Sequence, residues 1–399
     1  MRATTANPLR LGLFWLGIQA IWGALLGISL QARTIELVSA PGALLAYGRL
    51  ATLGAIVAAL VQIGVGPWSD RRRRQGSRRI EFYAAGAIVG AIALGFFFGA
   101  SSFGALTLAF VVVQAGLNLA IGPYQAIIPD AVARPRFGVA SSWMAALQST
   151  GNAVGAVLAA YVNDARILSG ALAALLLGTG AVTATHLRGL TLEPVTRREP
   201  LRVTRAFVDL FVSRALVYVG FYTLLGYLLF YVRDVLGTPS LAAAKSESGV
   251  LILAFTLVGA LGAAIAARPS DRWDKRLVAN VGGGIVILAL GLFIVSHGFA
   301  GAVAATVAAG LGWGVFLVAD WAIACRMLPP GSLATTMGIW NLAVILPQIV
   351  APALTTAVLA RLALTAGSQG PRAAFALAAG ETFVGILWLW RLSPIAIGE

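Results

Sequence analysis

Residues 42–79 read GALLAYGRLATLGAIVAALVQIGVGPWSDRRRRQGSRR and decide the fold of this chain. The first part, residues 42–64, is almost wholly apolar, and it has the length of about 20 residues that a helix needs to cross a bilayer. The second part carries six arginines between Arg71 and Arg79. An apolar run that ends in clustered arginines is typical of a membrane span that meets the cytoplasmic surface. We therefore predict a transmembrane helix followed by a cytoplasmic loop.

The same alternation of apolar runs and short polar breaks continues along all 399 residues. Hydrophobic residues make up 59% of the chain and charged residues only 11%, whereas soluble domains carry about 25% charged residues. The runs are apolar on every side, unlike the alternating strands of a membrane β-barrel. We predict an all-α integral membrane protein with twelve transmembrane helices, at residues 10–31, 42–64, 80–100, 103–128, 139–163, 168–187, 207–231, 247–267, 277–296, 299–324, 334–358 and 373–390.

Membrane topology explains the net charge of +14 better than nucleic-acid binding does. When both termini are placed in the cytoplasm, the inner loops carry about three times as many Lys and Arg residues as the outer loops. The N-terminal stretch MRATTANPLR shows no cleavage site after a short apolar core, so we expect no removable targeting peptide. These features predict a multi-pass protein of the cell (plasma or inner) membrane, with the lipid bilayer and not nucleic acid as its partner.

The longest polar stretch, HLRGLTLEPVTRREPLRVTR at residues 186–205, divides the chain into two halves. We assign residues 1–187 to an N-terminal six-helix bundle, residues 188–206 to a cytoplasmic linker and residues 207–399 to a C-terminal six-helix bundle. Because one chain contains both halves, we expect a monomer.

An internal repeat supports this division. A shift of 196 residues places Gly66 on Gly262 and Gly116 on Gly312. Two bundles in parallel repeat are the plan of many secondary transporters, whose solute site lies near mid-membrane between the halves.

The loop after the second span contains Gly66-Pro-Trp-Ser-Asp70-Arg71 and then Gly76-Ser-Arg78-Arg79. It resembles the signature loop of the major facilitator superfamily, Gly-x-x-x-Asp-Arg followed by Gly-Arg-Arg. The longer spacing before Gly76 is similar to that of the glycoside, pentoside and hexuronide cation symporters and of the proton-coupled sucrose carriers. Further segments extend the resemblance over most of the chain: Gly122-Pro-Tyr-Gln-Ala-Ile-Ile-Pro-Asp130, Tyr231-Val-Arg-Asp234, Ala319-Asp320-Trp321 and Met337-Gly-Ile-Trp340-Asn341.

The resemblance implies two pseudo-symmetric six-helix bundles and a set of gating residues. It implies that Asp130 and Arg71 join Asp70 in a cytoplasmic charge cluster that locks the outward-facing state. Two alternatives remain: the basic loop serves topology alone, and Asp130 only complements the basic inner surface. The gating set is Gly66, Asp70, Arg71, Gly76, Arg78, Arg79 and Asp130.

The fifth span carries Gly151 and Gly155, a small-xxx-small pattern that predicts a close helix contact. It lacks the Gly-Pro pair and the double glycine that mark drug antiporters of this superfamily. Drug and proton exchange is therefore the less favoured function.

Two carboxylates lie well inside predicted spans, where an ionisable group is costly and functional by default. Asp320 in the tenth span is our first candidate for proton coupling, and Glu381 in the last span is the second. A salt bridge between Asp320 and Arg326 is the structural alternative. We expect Arg214 in the seventh span to pair with Asp209 or to reach the membrane surface.

The spans also carry many neutral amides and aromatic rings. An amide is costly in lipid unless it meets a partner or water, so this number of amides predicts a polar cavity. Amides beside flat rings suit an uncharged, hydroxyl-rich solute, although helix packing explains any single residue equally well. The candidate substrate-binding residues are Gln19, Trp22, Gln114, Asn118, Tyr124, Gln125, Gln148, Asn152, Tyr222, Trp321, Trp340, Asn341 and Gln348.

The sequence argues against an enzyme. It has no Gly-x-x-x-x-Gly-Lys-Ser/Thr phosphate loop, one cysteine and only two histidines, so we expect no cofactor and no metal site. A proton or sodium gradient must then drive transport. The favoured hypothesis is proton-coupled symport of a neutral sugar or glycoside by alternating access. The alternatives are an exporter of amphiphilic drugs or lipids on the same fold and a non-transporting membrane scaffold.

Overall fold

A computed structural model describes residues 6–38, 40–132, 137–192, 204–327, 333–364 and 367–392. Within these ranges the chain forms helices and no β-strand. The α-helices are α1 (Pro8–Ala24), α2 (Leu30–Leu37), α3 (Ala40–Arg74), α4 (Ile80–Gly99), α5 (Phe103–Tyr124), α6 (Ile127–Ala131), α7 (Phe137–Tyr161), α8 (Ala165–Arg188), α9 (Arg205–Asp234), α10 (Leu241–Arg272), α11 (Lys275–Val295), α12 (Phe299–Met327), α13 (Leu333–Arg361) and α14 (Gln369–Trp388).

Eleven helical stretches in the described part of the chain are long and apolar enough to cross a membrane. One of them, Pro8–Leu37, combines α1 and α2 through a π-helical turn at Leu25–Ser29. Helix α7 lies at the fifth predicted span and has 25 residues. The prediction of an all-α, multi-pass membrane protein is confirmed.

Polar caps mark where several of these apolar helices begin. In each case a side-chain oxygen accepts a hydrogen bond from a backbone N–H group of the first turn, which would otherwise lack a partner. These caps are Asn7, Ser102, Asp164, Thr204, Ser240 and Asp274.

The chain forms two compact units. The first comprises Met1–Val38 and Leu53–Arg198, and the second comprises Ser39–Thr52 and Glu199–Glu399. Helix α3 therefore contributes its first turns to the second unit and the remainder to the first. Most of the predicted linker lies at residues 193–203, outside the described ranges.

In the first unit, α1 packs against α7 and α8, and α4 packs against α5 and α8. The predicted small-residue contact lies between α7 and α1. A Cβ atom on Gly151 would be 2.5 Å from the carbonyl oxygen of Leu16, and Gly155 lies similarly close to Ala20. The small-xxx-small prediction is confirmed, because only glycine leaves room for α1 at these positions.

The second unit repeats one packing arrangement of the first. In the first unit, a Cβ atom on Gly86 of α4 would lie 2.5 Å from the carbonyl oxygen of Gly116 of α5. In the second unit, a Cβ atom on Gly282 of α11 would lie 2.7 Å from that of Gly312 of α12. Both members of the second pair follow the first pair by 196 residues. The predicted correspondence of Gly116 with Gly312 therefore appears as two equivalent helix contacts. The correspondence of Gly66 with Gly262 does not, because Gly262 lies close to the carbonyl oxygen of Leu311 and a Cβ atom on Gly66 would meet no described atom within 4 Å.

Candidate functional site

The basic loop between α3 and α4 folds around Arg79. Its side chain is 4% exposed and donates to two carboxylates: Nη2 lies 2.8 Å from Asp70 Oδ1, and Nε lies 2.8 Å from Asp130 Oδ2. Nη1 donates to the Ser69 hydroxyl at 2.7 Å. Burial by itself would lower the pKa of Arg79, but the charges of Asp130 and Asp70 raise it above the ordinary value. Arg79 thus stays charged and joins the end of α3 to α6.

The backbone of the loop brings Arg79 back to the end of α3. Gly76 has a φ of 91° and Arg79 a φ of 62°, both in the left-handed region. Glycine adopts this conformation without strain, while a residue with a Cβ atom costs about 1–2 kcal/mol there. The three hydrogen-bonded partners of Arg79 offset that cost.

The structure changes the composition of the predicted gating cluster. Asp70 and Asp130 come together as expected, but Arg79 joins them instead of Arg71, which is exposed. Successive residues of a helix point about 100° apart, so Arg71 cannot share the face of Asp70. Arg78 instead donates to the carbonyl oxygen of Leu190 at 3.3 Å.

Arg73 and Gly66 also bear on the sequence-based prediction for this loop. Sequence reasoning missed Arg73, which is 6% exposed and lies 3.7 Å from Asp130. A Cβ atom on Gly66, a predicted gating residue, would meet no atom within 4 Å in the described part of the chain, so no close backbone approach is found there. Any role of Gly66 in gating therefore remains a prediction.

Three neutral amides meet between α1 and α7. Asn152 Nδ2 donates to Gln19 Oε1 at 3.1 Å, and Gln19 Nε2 lies 3.5 Å from Gln148 Oε1. Asn152 is exposed, while Gln19 and Gln148 are half-buried, as is Trp22 one turn further along α1. We call Gln19, Gln148 and Asn152 the amide cluster; each side chain keeps hydrogen-bonding groups available to a solute.

A second set of amides is satisfied inside the first unit. Gln62 Nε2 donates to Asn118 Oδ1 at 2.6 Å, and Asn118 Nδ2 donates to Gln114 Oε1 at 3.2 Å. Asn118 and Gln114 are 3% and 5% exposed. The chain of three amides crosses from α3 into α5, and its first member, Gln62, was not among the predicted substrate-binding residues.

Tyr124 corrects the predicted substrate set. Its ring is fully buried beside Phe14, Trp15 and Tyr83, and its hydroxyl donates to the carbonyl oxygen of Leu11 at 2.5 Å. Since the ring packs in a core and the hydroxyl is already bonded, Tyr124 is a packing residue in this structure. The neighbouring Gln125 is half-buried.

The second unit buries an ion pair between Arg214 of α9 and Asp320 of α12. The two side chains are 4% and 3% exposed. The Arg214 guanidinium also lies over two aromatic rings, 4.4 Å from the centroid of Trp340 and 4.9 Å from that of Tyr218. Trp321, next to Asp320, is 45% exposed.

The structure tests one of the two pairings that the sequence predicted for Arg214 and Asp320. The expected pairing of Arg214 with Asp209 is wrong: five residues along one helix rotate the side chains by about 140°, so the two point to different faces. Asp209 instead accepts from the Trp388 indole N–H at 3.0 Å and lies 3.4 Å from Arg391. The structure does not describe the side chain of Arg326, so the predicted Asp320–Arg326 salt bridge lies outside the described residues.

Further polar candidates of the second unit lie along α9. Gln348 Nε2 of α13 donates to the Tyr222 hydroxyl at 2.9 Å. The next residue of α9, Thr223, lies near Thr355 and Glu381, and Glu381 is 8% exposed. The side chain of Asn341 is outside the described ones.

Within the described ranges, no three His, Cys, Asp or Glu side chains group as metal ligands. The site residues are neutral amides and aromatic rings, one buried ion pair, one buried glutamate and a loop charge cluster. The amides can form hydrogen bonds to a bound molecule, and the charged groups can change ion-pair partners.

Comparison with known proteins agrees with this fold. The sequence model of the Major Facilitator Superfamily matches residues 11–352. A solved structure of a bacterial homologue of the human lysosomal transporter Spinster, inward-facing and occupied, is 18% identical, with a TM-score of 0.71 over 96% of this chain and 95% of that one. The nucleoside transporter NupG is 13% identical, with a TM-score of 0.70 over 96% of this chain and 98% of that one. No curated protein sequence matches the chain.

The structural likenesses, at these low identities, show the fold alone. The family match covers most of the chain, from the first predicted span to the eleventh. The chain therefore belongs to the major facilitator superfamily and is a transporter rather than an enzyme.

Proposed function

We propose that this protein is a proton-coupled symporter that carries a neutral, hydroxyl-rich solute, such as a sugar or glycoside, by alternating access. The amide cluster of Gln19, Gln148 and Asn152 carries the proposal. Its members are uncharged, partly exposed, and able both to donate and to accept hydrogen bonds. Such a surface matches hydroxyl groups and offers no counter-charge to an ionic solute.

The aromatic side chains of the second unit support the same class of solute. Tyr222 is half-buried, and its phenol pairs with the amide of Gln348. Flat rings cover the apolar faces of sugars, while hydroxyls and amides bind their polar edges.

The Arg214–Asp320 pair is our candidate for proton coupling. A buried ion pair is expensive to break, because the remaining charge loses its counter-ion in a low-dielectric surrounding. A proton on Asp320 would neutralise the carboxylate and leave Arg214 held by the faces of Trp340 and Tyr218, over which it already lies and which stabilise a cation. Protonation and a rearrangement of α9 against α12 would then be linked.

The loop charge cluster is our candidate for a gate. Arg79 joins Asp70 of α3 to Asp130 of α6, so moving α6 away from α3 requires at least one of these charge-assisted hydrogen bonds to break, together with the Arg73–Asp130 contact. We propose that these bonds form in one state of the transport cycle and break in the other. We further propose a monomer in the cell membrane with both termini in the cytoplasm, as the distribution of Lys and Arg favours.

Uptake by proteoliposomes tests this function. With an inward proton gradient, we expect accumulation of a labelled sugar or glycoside, and nucleosides belong in the panel because a nucleoside transporter shares the fold. Asn152→Ala and Gln19→Ala should each reduce uptake about fivefold or more if the amide cluster binds the solute, since a lost hydrogen bond to a buried ligand costs about 1–3 kcal/mol. A thermal-shift screen against sugars, glycosides and amphiphiles selects the solute beforehand.

Coupling is tested separately. Asp320→Asn should abolish gradient-driven accumulation while exchange of solute across the bilayer continues. Asp209→Asn is the matched control, because Asp209 lies in the same unit and pairs with Arg391, whose side chain is half-exposed. Accumulation that persists in Asp320→Asn would remove this residue from coupling. Proton release driven by amphiphilic drugs or lipids, without sugar uptake, would instead identify an exporter.

A further inference from the structure

Glu381 is a buried carboxylate in the middle of α14 with an incomplete set of partners. It is 8% exposed, and its Oε2 atom lies 3.3 Å from the Thr223 hydroxyl of α9. The Thr223 hydroxyl lies 3.2 Å from the Thr355 hydroxyl of α13. In the part of the chain that the structure describes, Oε1 is buried without a hydrogen-bond partner, and no Lys or Arg forms an ion pair with Glu381.

Close helix packing builds this oxygen cluster. A Cβ atom on Gly220 would lie 2.8 Å from the carbonyl oxygen of Ala378, so glycine lets α9 approach α14. Thr223 lies about one helical turn beyond Gly220 on α9, and the Glu381 side chain of α14 reaches its hydroxyl. Helix α13 packs on α9 and adds Thr355.

The charge and spacing of these oxygens suit a bound cation. A bare carboxylate away from water is costly, and no described basic side chain compensates for this one. The two separations, 3.2 and 3.3 Å, exceed the 2.7–2.8 Å typical of hydroxyl hydrogen bonds. Hard cations hold oxygen ligands at about 2.3–2.6 Å, which places neighbouring oxygens of an octahedral shell about 3.3–3.7 Å apart.

We propose that Glu381, Thr223 and Thr355 bind one sodium ion. A single carboxylate balances one positive charge, so the site suits a monovalent and not a divalent cation. Thr223 follows Arg214 by nine residues on α9, which separates the site from the Arg214–Asp320 pair by about 13 Å along the helix. The site goes beyond the proposed function and does not depend on which solute the protein carries.

Thermal unfolding of the purified full-length protein tests the site without any solute. Sodium chloride replaces choline chloride at constant ionic strength and neutral pH, and bound radioactive sodium is counted in parallel. We expect a melting temperature that rises and saturates with sodium, because an ion that binds only the folded state stabilises it. Lithium and potassium at the same concentrations report the size preference.

Three variants assign the effect to these oxygens. Glu381→Gln should weaken sodium binding at least about tenfold, as should Thr355→Val, whereas Thr355→Ser keeps the hydroxyl and should bind as the natural protein does. Glu247→Gln is the matched control, since Glu247 also accepts from a threonine, Thr238, at 2.8 Å, but is only half-buried. The valine and serine pair decides the matter if Glu381→Gln does not fold.

Two results would overturn the proposal. One is a melting temperature that is the same in sodium and choline; the other is equal sodium binding by Thr355→Val and Thr355→Ser. Stabilisation by acid through Glu381, without a sodium effect, would show a proton site instead and would equally reject sodium. Since no transport is measured, failure here leaves the symport proposal intact, and failure of sugar uptake leaves the sodium site intact.

Discussion

The buried Arg214–Asp320 pair gives a prediction whose size follows from the structure. Both side chains are at least nine-tenths buried, so Asp320→Leu leaves a guanidinium without its counter-ion. Removing one partner of such a pair costs about 3–5 kcal/mol of unfolding free energy. Arg214 has its contacts with Trp340 and Tyr218 in both forms, so these contacts do not alter the difference. We therefore expect Asp320→Leu to lower the free energy of unfolding by about 3–5 kcal/mol.

Removing Arg214 instead of Asp320 should lower the free energy of unfolding by a smaller amount. Arg214→Met leaves the Asp320 carboxyl alone, and a carboxyl can accept a proton, whereas a guanidinium cannot lose one. The double variant Arg214→Met with Asp320→Leu leaves no buried charge at all. It should therefore be more stable than Asp320→Leu, because apolar replacements of a buried pair are often neutral.

A double-mutant cycle measures this coupling by denaturant unfolding in one detergent. We expect a coupling energy of about 2 kcal/mol between the two positions, while independent sites add to within about 0.5 kcal/mol. Asp209→Asn is the control and should cost less than about 1 kcal/mol, because its partner Arg391 is half-exposed. Additive losses in the cycle would refute a buried, mutually dependent pair.

Three further outcomes are expected. Gly282→Ala should lower the free energy of unfolding by about 1–3 kcal/mol through overpacking, whereas Gly284→Ala on the same helix meets no described atom within 4 Å and should be neutral; equal melting temperatures would contradict the packing. Arg79→Lys keeps the charge but not the fork that holds two carboxylates, so protease cleavage of the loop should become severalfold faster, and unchanged cleavage would argue against the cluster. Two backbone N–H groups lower the pKa of Asp164 below its usual 3.8, so its stabilisation is complete above that value and is lost as the pH falls through the lower folded-state value. Asp164→Asn should remove this acid-side loss from the melting profile, and an unaltered profile would contradict it.

Some parts of the functional site were accessible from the sequence. The Asp70–Arg71 loop and Asp130 stand out by spacing and charge, and the structure brings the two aspartates together. Their common partner, Arg79, was in the predicted set, but its central place depends on two left-handed backbone positions that no residue pattern states. Local charge patterns thus identified the loop, and the path of its backbone selected the contacts.

Other parts of the functional site could not be predicted from the sequence. Arg214 and Asp320 are 106 residues apart, and nearby charges in the sequence pointed to Asp209 and Arg326 instead. Tyr124 has the ring and the hydroxyl expected of a sugar-binding residue, but the rotation of α5 about its axis directs this side chain into the core of the first unit. Which side of a helix faces a partner depends on all helices that pack around it.

The sequence alone determined the class of the fold, because a membrane span satisfies its own backbone hydrogen bonds and depends only on its length and apolar content. It also indicated the repeat, of which the correspondence of Gly116 with Gly312 returns as equivalent helix contacts in the two units. Only the tertiary structure decided which polar side chains meet across helices. All of the helices are largely apolar, so apolar content does not determine which side chains meet. The rotation of each helix about its axis and its close contacts at glycines determine the partners, and both depend on packing throughout the unit.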